Sequence, residues 1–353
     1  MQGQKYSELG SEFWLEDVQP ENRTYVLSGR TAIDLILQDM QTCGRKAENV
    51  YMPAWCCDSM LQPFLDRGVK VRFYDMSYEE NRLSYDINRD ERADILYVNN
   101  YFGYNNTLSL EIIQLFKQRG AVILYDRTHS LFRDDVEYQE IADYTFASIR
   151  KWMGVICGAY LSKNDGGFTI PVLKDCPYLS DKEEAMRLKA TYMEGNSQID
   201  KQQFLNLYSS FGHHLAEDYL NYQMDDQSLS IWNYADKQAL RKWRTSNALY
   251  LQVSLNDVQG VQTMFSITNS DCALFVPVLF ETKELRDKVR KHLTDNSIYC
   301  PIHWPKPVLV DASMNVNDIY DRELSLLCDQ RYNFEDMQRI IETIKEKKES
   351  IDI

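Results

Sequence analysis

No apolar run approaches the ~18 residues that a membrane-spanning helix needs, so no helical span is expected. Eight cysteines are present, and none lies in a Cys-x-x-Cys pair, which removes the usual framework of a structural zinc site; no metal is expected. Several sit inside apolar runs and read as small buried hydrophobes. A GxGxxG fingerprint is missing, which makes a nicotinamide-binding site a remote reading, and no GKS or GKT marks a phosphate loop. Cations are in deficit, with 39 Lys and Arg against 53 Asp and Glu and a net charge of −14. Such a chain repels a phosphate backbone, so nucleic acid is not an expected partner, although a local basic pocket can still hold one phosphate. The stretch MQGQKYSELGSEFWLED is polar and acidic and lacks the apolar core of a secretory leader. These absences lead to the expectation of a soluble cytoplasmic protein with reduced thiols.

What is present is a regular alternation. The 353 residues, 44% of them apolar, suffice for a large domain and a smaller one. SGRTAIDLILQDMQTCG places Ile33, Leu37 and Met40 at helical spacing. NVYMPAW, KVRFYDM, ADILYVNNYFG, AVILYDRTH and YTFASI read as strands, and SMLQPFLDRG and SLEIIQLFKQRG as helices stopped by glycine. Strands apolar on both faces and separated by helices predict an α/β fold with a mainly parallel sheet covered on both sides. Long charged helices follow from about residue 178, and CALFVPVLF and IYCPIHWP read as strands of a smaller α+β domain. The expected division is 1–235 and 236–353, with the amino-terminal residues 1–20 packed on the smaller domain.

In open α/β sheets, ligands bind beyond the carboxyl ends of the strands, and four features fall there. Ser28-Gly29-Arg30-Thr31 opens a helix, whose free N–H groups form an anion site unless Ser28 or Thr31 is only a cap. Asp126 ends AVILY, and a buried carboxylate there needs a partner, either a ligand or a neighbour such as Arg127. His129 follows three residues on, as a structural hydrogen-bonder or a site residue. Lys151 follows FASIR; a desolvated amine titrates low and attacks carbonyls, a tendency that Arg150 reinforces, whereas a surface turn would leave both cations solvated. An anion site, a carboxylate, an imidazole and an amine on one sheet edge are what pyridoxal 5′-phosphate asks for. Its phosphate needs N–H donors, its aldehyde a lysine, and its pyridine nitrogen a carboxylate that keeps it protonated.

From about Tyr25 to Leu161 the chain resembles the DegT-type sugar aminotransferases, of the fold-type-I pyridoxal-phosphate enzymes. SGRTAIDLIL is similar to the family's SGTAALxLAL, which implies phosphate binding at Gly29, Arg30 and Thr31. LYDRTHSLF resembles EDAAQALG, implying that Asp126 partners the pyridine nitrogen and His129 lies near the phenolic oxygen. FASIRKWMGVICGAYL resembles the segment carrying the cofactor lysine, here Lys151, with Ser148 and Arg150 as phosphate ligands. VYMPAWCCDSM matches the segment whose aromatic residue covers the ring; Cys57 holds that position here, and Trp55 is its neighbour. CPIHWP is similar to a C-terminal segment that reaches the active site, which makes His303 a substrate-side candidate. Arg30 departs from the family's Thr.

The resemblance implies an aminotransferase that acts on a nucleotide-linked keto sugar, with a separate amino donor, in polysaccharide or glycoconjugate biosynthesis. It also implies a homodimer with a shared site, to which Tyr192 and Asn196 of YMEGNSQIDKQQFLNLY belong. A lyase or dehydratase using the same cofactor is the first rival, and a degenerate relative that binds without catalysis is the second.

Overall fold

The computed structural model describes residues 23–195 and 198–349. The elements in chain order are β1 (Arg23–Val26), α1 (Gly29–Thr42), β2 (Asn49–Pro53), α2 (Asp58–Asp66), β3 (Lys70–Glu79), β4 (Arg82–Asp86), β5 (Ile95–Asn99), α3 (Leu110–Gln118), β6 (Val122–Asp126), α4 (Val136–Ile141), β7 (Tyr144–Ala147) and β8 (Ala159–Lys163). There follow α5 (Leu179–Met193), α6 (Lys201–Glu217), α7 (Asp226–Tyr234), α8 (Lys237–Leu255), β9 (Val261–Thr263), β10 (Val276–Phe280), α9 (Lys283–Asp295), α10 (Val316–Arg322), β11 (Glu323–Leu326) and α11 (Phe334–Glu349).

Eight strands form one sheet in the order β1-β8-β7-β6-β5-β2-β3-β4. The five central strands, from β7 through β3, run parallel. Every residue of β5 and β6 is buried, which is why ILYVN and VILYD show no alternation. The flanking pairs β7–β8, β1–β8 and β3–β4 are antiparallel. β4 was not foreseen in the sequence; it follows a tight turn in which Glu80 and Asn81 take positive φ.

A second, antiparallel sheet has the order β11-β10-β9. Its outer strand corrects one expectation. IYCPIHWP is irregular, and ELSL is the strand that pairs with β10. Pro301 and Pro305 have no N–H to donate to a ladder, whereas residues 323–326 are fully buried and have all their donors. The irregular segment runs beside β11, with the Ser325 N–H donating to the Pro301 carbonyl at 2.9 Å.

Residues 272–274 stitch the C-terminal part of the chain to the loop after β5. The N–H of Cys272 donates to the Gly103 carbonyl at 3.1 Å, and that of Leu274 to the Phe102 carbonyl at 2.9 Å. Gly103 has φ +82°, and a Cβ there would lie 2.0 Å from the Cys272 carbonyl oxygen, so this approach requires glycine. The expected packing of residues 1–20 lies outside the described residues.

Candidate active site

A cleft opens at the carboxyl ends of β5 and β6, beside the first turn of α1. Gly29, Arg30, Cys57 and Asp126 line it, as expected, and so do His129, Ser148, Arg150 and Lys151.

Asp126 is the last residue of β6 and is 7% exposed. Its Oδ2 accepts from the Tyr97 hydroxyl at 2.6 Å and its Oδ1 from the Thr128 N–H at 2.7 Å. Burial raises its pKa, against the pull of those hydrogen bonds and the Lys151 charge. Arg127 is not its partner: that guanidinium pairs with Asp135 at 2.7 Å, and both groups are buried. Asp126 therefore ends a strand with no cation bonded to it among the described residues.

Beyond the same strand, His129 accepts the Phe102 N–H at Nδ1, at 3.3 Å. An accepting Nδ1 puts the ring proton of the neutral imidazole on Nε2. Nε2 is buried and has no partner among the described residues. Burial, then the Lys151 and His303 charges, hold the pKa well below the ordinary histidine range, so the ring is neutral. An unpaired buried N–H costs about 1–3 kcal/mol, which a ligand acceptor would recover.

The chain leaves β7 through a 3₁₀ turn, Ile149–Lys151. Gly158 ties the turn down by accepting the N–H groups of Ile149 and Arg150 at 3.0 and 3.3 Å. The buried Trp152 anchors it through an indole N–H to the Thr128 carbonyl at 2.7 Å. Lys151 itself is exposed, and the cleft it faces is walled by protein. That enclosure lowers the amine's pKa; Arg150 and Arg30 push the same way, while Cys57 and Asp126 oppose them. The awkward lysine at the end of a buried strand is thus presented to a cavity.

Arg30 and Arg150 are the unexpected charges. Arg30 donates through Nε to Gln62 at 2.7 Å, and the Nε of Arg150 is buried with no partner. No carboxylate pairs with either among the described residues. Burial lowers the pKa of both, and the Arg30 charge adds to the effect at Arg150. Two guanidiniums in one cleft, neither paired with a carboxylate among the described residues, can hold an anion.

Other expected residues take different places. Trp55 is fully buried and stacked on Tyr101 at 4.5 Å, with its indole N–H on the His303 carbonyl at 2.6 Å. It does not line the cleft; Trp304 does. Thr31 donates its N–H to Ser28 Oγ at 3.3 Å and its hydroxyl to the Tyr219 carbonyl at 2.8 Å, so this pair caps α1 and Thr31 stays out of the cleft. His303 lies behind the wall, 5.5 Å from the His129 ring and 5.4 Å from Trp304. Tyr192 is exposed on α5, and Asn196 lies outside the described residues. Sequence reasoning missed Tyr97, Trp304 and Asn99, whose buried Oδ1 has no partner and faces the same site. The Asn99-Asn100 pair closing an apolar strand was the available signal for one of them.

An amine, a carboxylate, an imidazole N–H and an unpaired cationic pair around one cleft fit a phosphorylated pyridine aldehyde. The sheet order and the cleft define the class: the fold is that of the fold-type-I pyridoxal-phosphate transferases. Within it the similar structures include aminotransferases, some of them named as sugar aminotransferases. TlmJ, an aminotransferase from Streptoalloteichus hindustanus, superposes with a TM-score of 0.62 at 16% identity, covering 94% of this chain and 87% of that one. A Streptococcus pneumoniae protein assigned as a sugar aminotransferase, solved in its PLP form, gives 0.65 at 15%, covering 93% and 87%. A DegT-type aminotransferase from Brucella abortus gives 0.59 at 15%, covering 92% and 85%. No protein-family model matches the sequence, and no curated protein matches it.

Proposed function

We propose that this protein is a pyridoxal-phosphate-dependent aminotransferase acting on a keto sugar, of the nucleotide-linked kind used in glycoconjugate biosynthesis. The observation that carries the reading is the convergence of Lys151, Asp126 and the unpaired Arg30–Arg150 couple on one cleft. The names of two of the similar structures, both sugar aminotransferases, support the sugar as substrate. Bound cofactor supplies an electron sink that stabilises negative charge on an adjacent carbon. Arg30, Arg150, Ser148 and the Gly29 turn would hold its phosphate, Asp126 its ring nitrogen and His129 Nε2–H its phenolic oxygen. Trp304, with Cys57, would cover the ring in place of Trp55. Lys151 would carry the cofactor, and its lowered pKa suits the amine to act as general acid and base.

The chain divides at residue 235 in this reading, since β9, β10 and β11 all lie beyond it. A homodimer in the cytoplasm, with α5 near the partner's site, completes the proposal; no described helix is long and apolar enough to cross a membrane. The test is spectroscopic. Purified protein given pyridoxal phosphate should develop a band near ~400 nm that Lys151→Ala abolishes. A protein that takes up no cofactor ends the reading. Formation of 2-oxoglutarate from glutamate separates a transaminase from a lyase or a binding-only relative.

A further inference from the structure

Behind the cleft wall, three side chains of the C-terminal part of the chain form a buried line. Glu323 is 1% exposed and Ser325 fully buried. Ser325 Oγ is hydrogen-bonded to Glu323 Oε1 and, at 2.8 Å, to His303 Nδ1. The other carboxyl oxygen, Oε2, accepts the His303 backbone N–H at 2.7 Å. The His303 ring packs against His129 and Trp304, both of which line the cleft, and 8% of the residue remains exposed. A carboxyl, a hydroxyl and an imidazole in series are more than packing requires, because an apolar core would cost less to bury.

We infer that Glu323, Ser325 and His303 form a proton relay that lets His303 Nε2 exchange a proton, by way of a water at the cleft wall, with the oxygen of a carbonyl substrate in the cleft. The inference rests on the function proposed above. The relay has two fully bonded states. In one, Glu323 is a carboxylate, the Ser325 hydroxyl donates to it, His303 donates from Nδ1 to Ser325, and Nε2 is a bare acceptor. In the other, Glu323 is a neutral acid donating to Ser325, Ser325 donates to Nδ1, and Nε2 carries the proton. When the Nε2–H proton passes through that water to the departing carbonyl oxygen, the Ser325 proton moves to Nδ1 and the Glu323 proton to Ser325. The O–H bond lost at Glu323 is balanced by the one formed on the substrate oxygen. The incoming amine gives up two protons in all and the oxygen takes two to leave as water, so the relay, reloaded in reverse by each proton it passes, ends as it began.

The device solves a specific difficulty. Burial, with the Lys151 charge, lowers the His303 pKa to about 3, so this imidazole does not act by becoming an imidazolium near neutrality. The relay moves the change of charge to Glu323, whose pKa burial raises to about 8. The ionisable groups around the line are Lys151 from the turn after β7, His129 from the loop after β6, Cys300, and Arg286 from α9. Arg286 donates to the Glu323 backbone carbonyl at 2.9 Å and draws the carboxyl pKa down. His129 is neutral, and Lys151 disfavours a third positive charge, so both states keep His303 uncharged.

The test is nitrogen NMR of the full-length protein labelled with ¹⁵N-histidine, from about pH 5 to pH 10. His303 should change from the Nε2–H to the Nδ1–H tautomer as pH rises through about 8, with no imidazolium in that range. Glu323→Gln should lock one tautomer at every pH and lower turnover of the keto substrate about 10²-fold, with pyridoxal-phosphate uptake unchanged. Ser325→Ala breaks the line while leaving the Glu323–His303 backbone bond, and should do the same; it decides the matter where Glu323→Gln does not fold. A single tautomer throughout in the wild type, an ordinary histidine titration near 6.5, or full turnover in both variants overturns the relay. The tautomer measurement needs no turnover, so failure of the proposed reaction and failure of the relay are told apart.

Discussion

At the scale of single residues, the site differs from a generic phosphate cup through Arg30 and Arg150. Each charge-assisted hydrogen bond to an anion contributes about 1.5–3 kcal/mol. Arg150→Met should therefore weaken pyridoxal-phosphate binding ~10- to 100-fold. Affinity for pyridoxal, which has no phosphate, should not change. Fluorescence titration with both ligands checks this, and an equal loss for both would remove Arg150 from the phosphate site. Asp126 behaves differently. Its hydrogen bonds from Tyr97 and Thr128 orient it whether or not a ligand is bound. The chain has prepared a carboxylate at a strand end, with no direct ion pair to it among the described residues.

At the scale of elements, the loop after β5 is the most demanding segment. Gly103 combines a positive φ with a backbone approach that no side chain can share. Gly103→Ala should cost about 3 kcal/mol or more, whereas Gly44→Ala, also at positive φ but in open space, should cost about 1 kcal/mol. Chemical denaturation of both variants tests the contrast, and similar losses would refute it. The fully apolar strands and glycine-stopped helices announced most of the large sheet, and strand ends located Asp126, His129 and Lys151, because these follow from local pattern. The role of Trp55 did not, since its burial depends on Tyr101 and the distant His303 carbonyl. Nor did β11, whose short ELSL run becomes a strand only through pairing with β10.

At the scale of the whole molecule, Glu323 makes stability depend on pH. Its pKa is raised from 4.5 to about 8, so between those values the native chain keeps a proton that the unfolded chain has released. That contribution is complete below pH 4.5 and is lost as pH rises through about 8. Asp39 acts in the opposite sense. Burial pushes its pKa up, but hydrogen bonds from Lys163, Thr169 and Tyr144 outweigh it and hold the group below 3.8. Its contribution is present above 3.8 and is lost as pH falls through the lowered native value. Urea midpoints measured across this range should decline from mildly acidic to alkaline pH, and Glu323→Gln should flatten that decline. An unchanged slope in the variant would contradict the buried acid.

The stitch between residues 272–274 and the loop after β5 also bears on how such proteins can be recombined. Phe102 is held at its carbonyl by Leu274 and at its N–H by His129, so the position of the His129 imidazole is inherited jointly from two distant stretches of chain. A chimera that grafts a relative's counterpart of 236–353 onto this chain keeps Gly103 but replaces the segment whose Cys272 carbonyl is fitted over it. A crossover that carries residues 100–107 along with the graft preserves the match. Two-segment exchange, rather than one cut at residue 235, is the modular unit that this architecture permits.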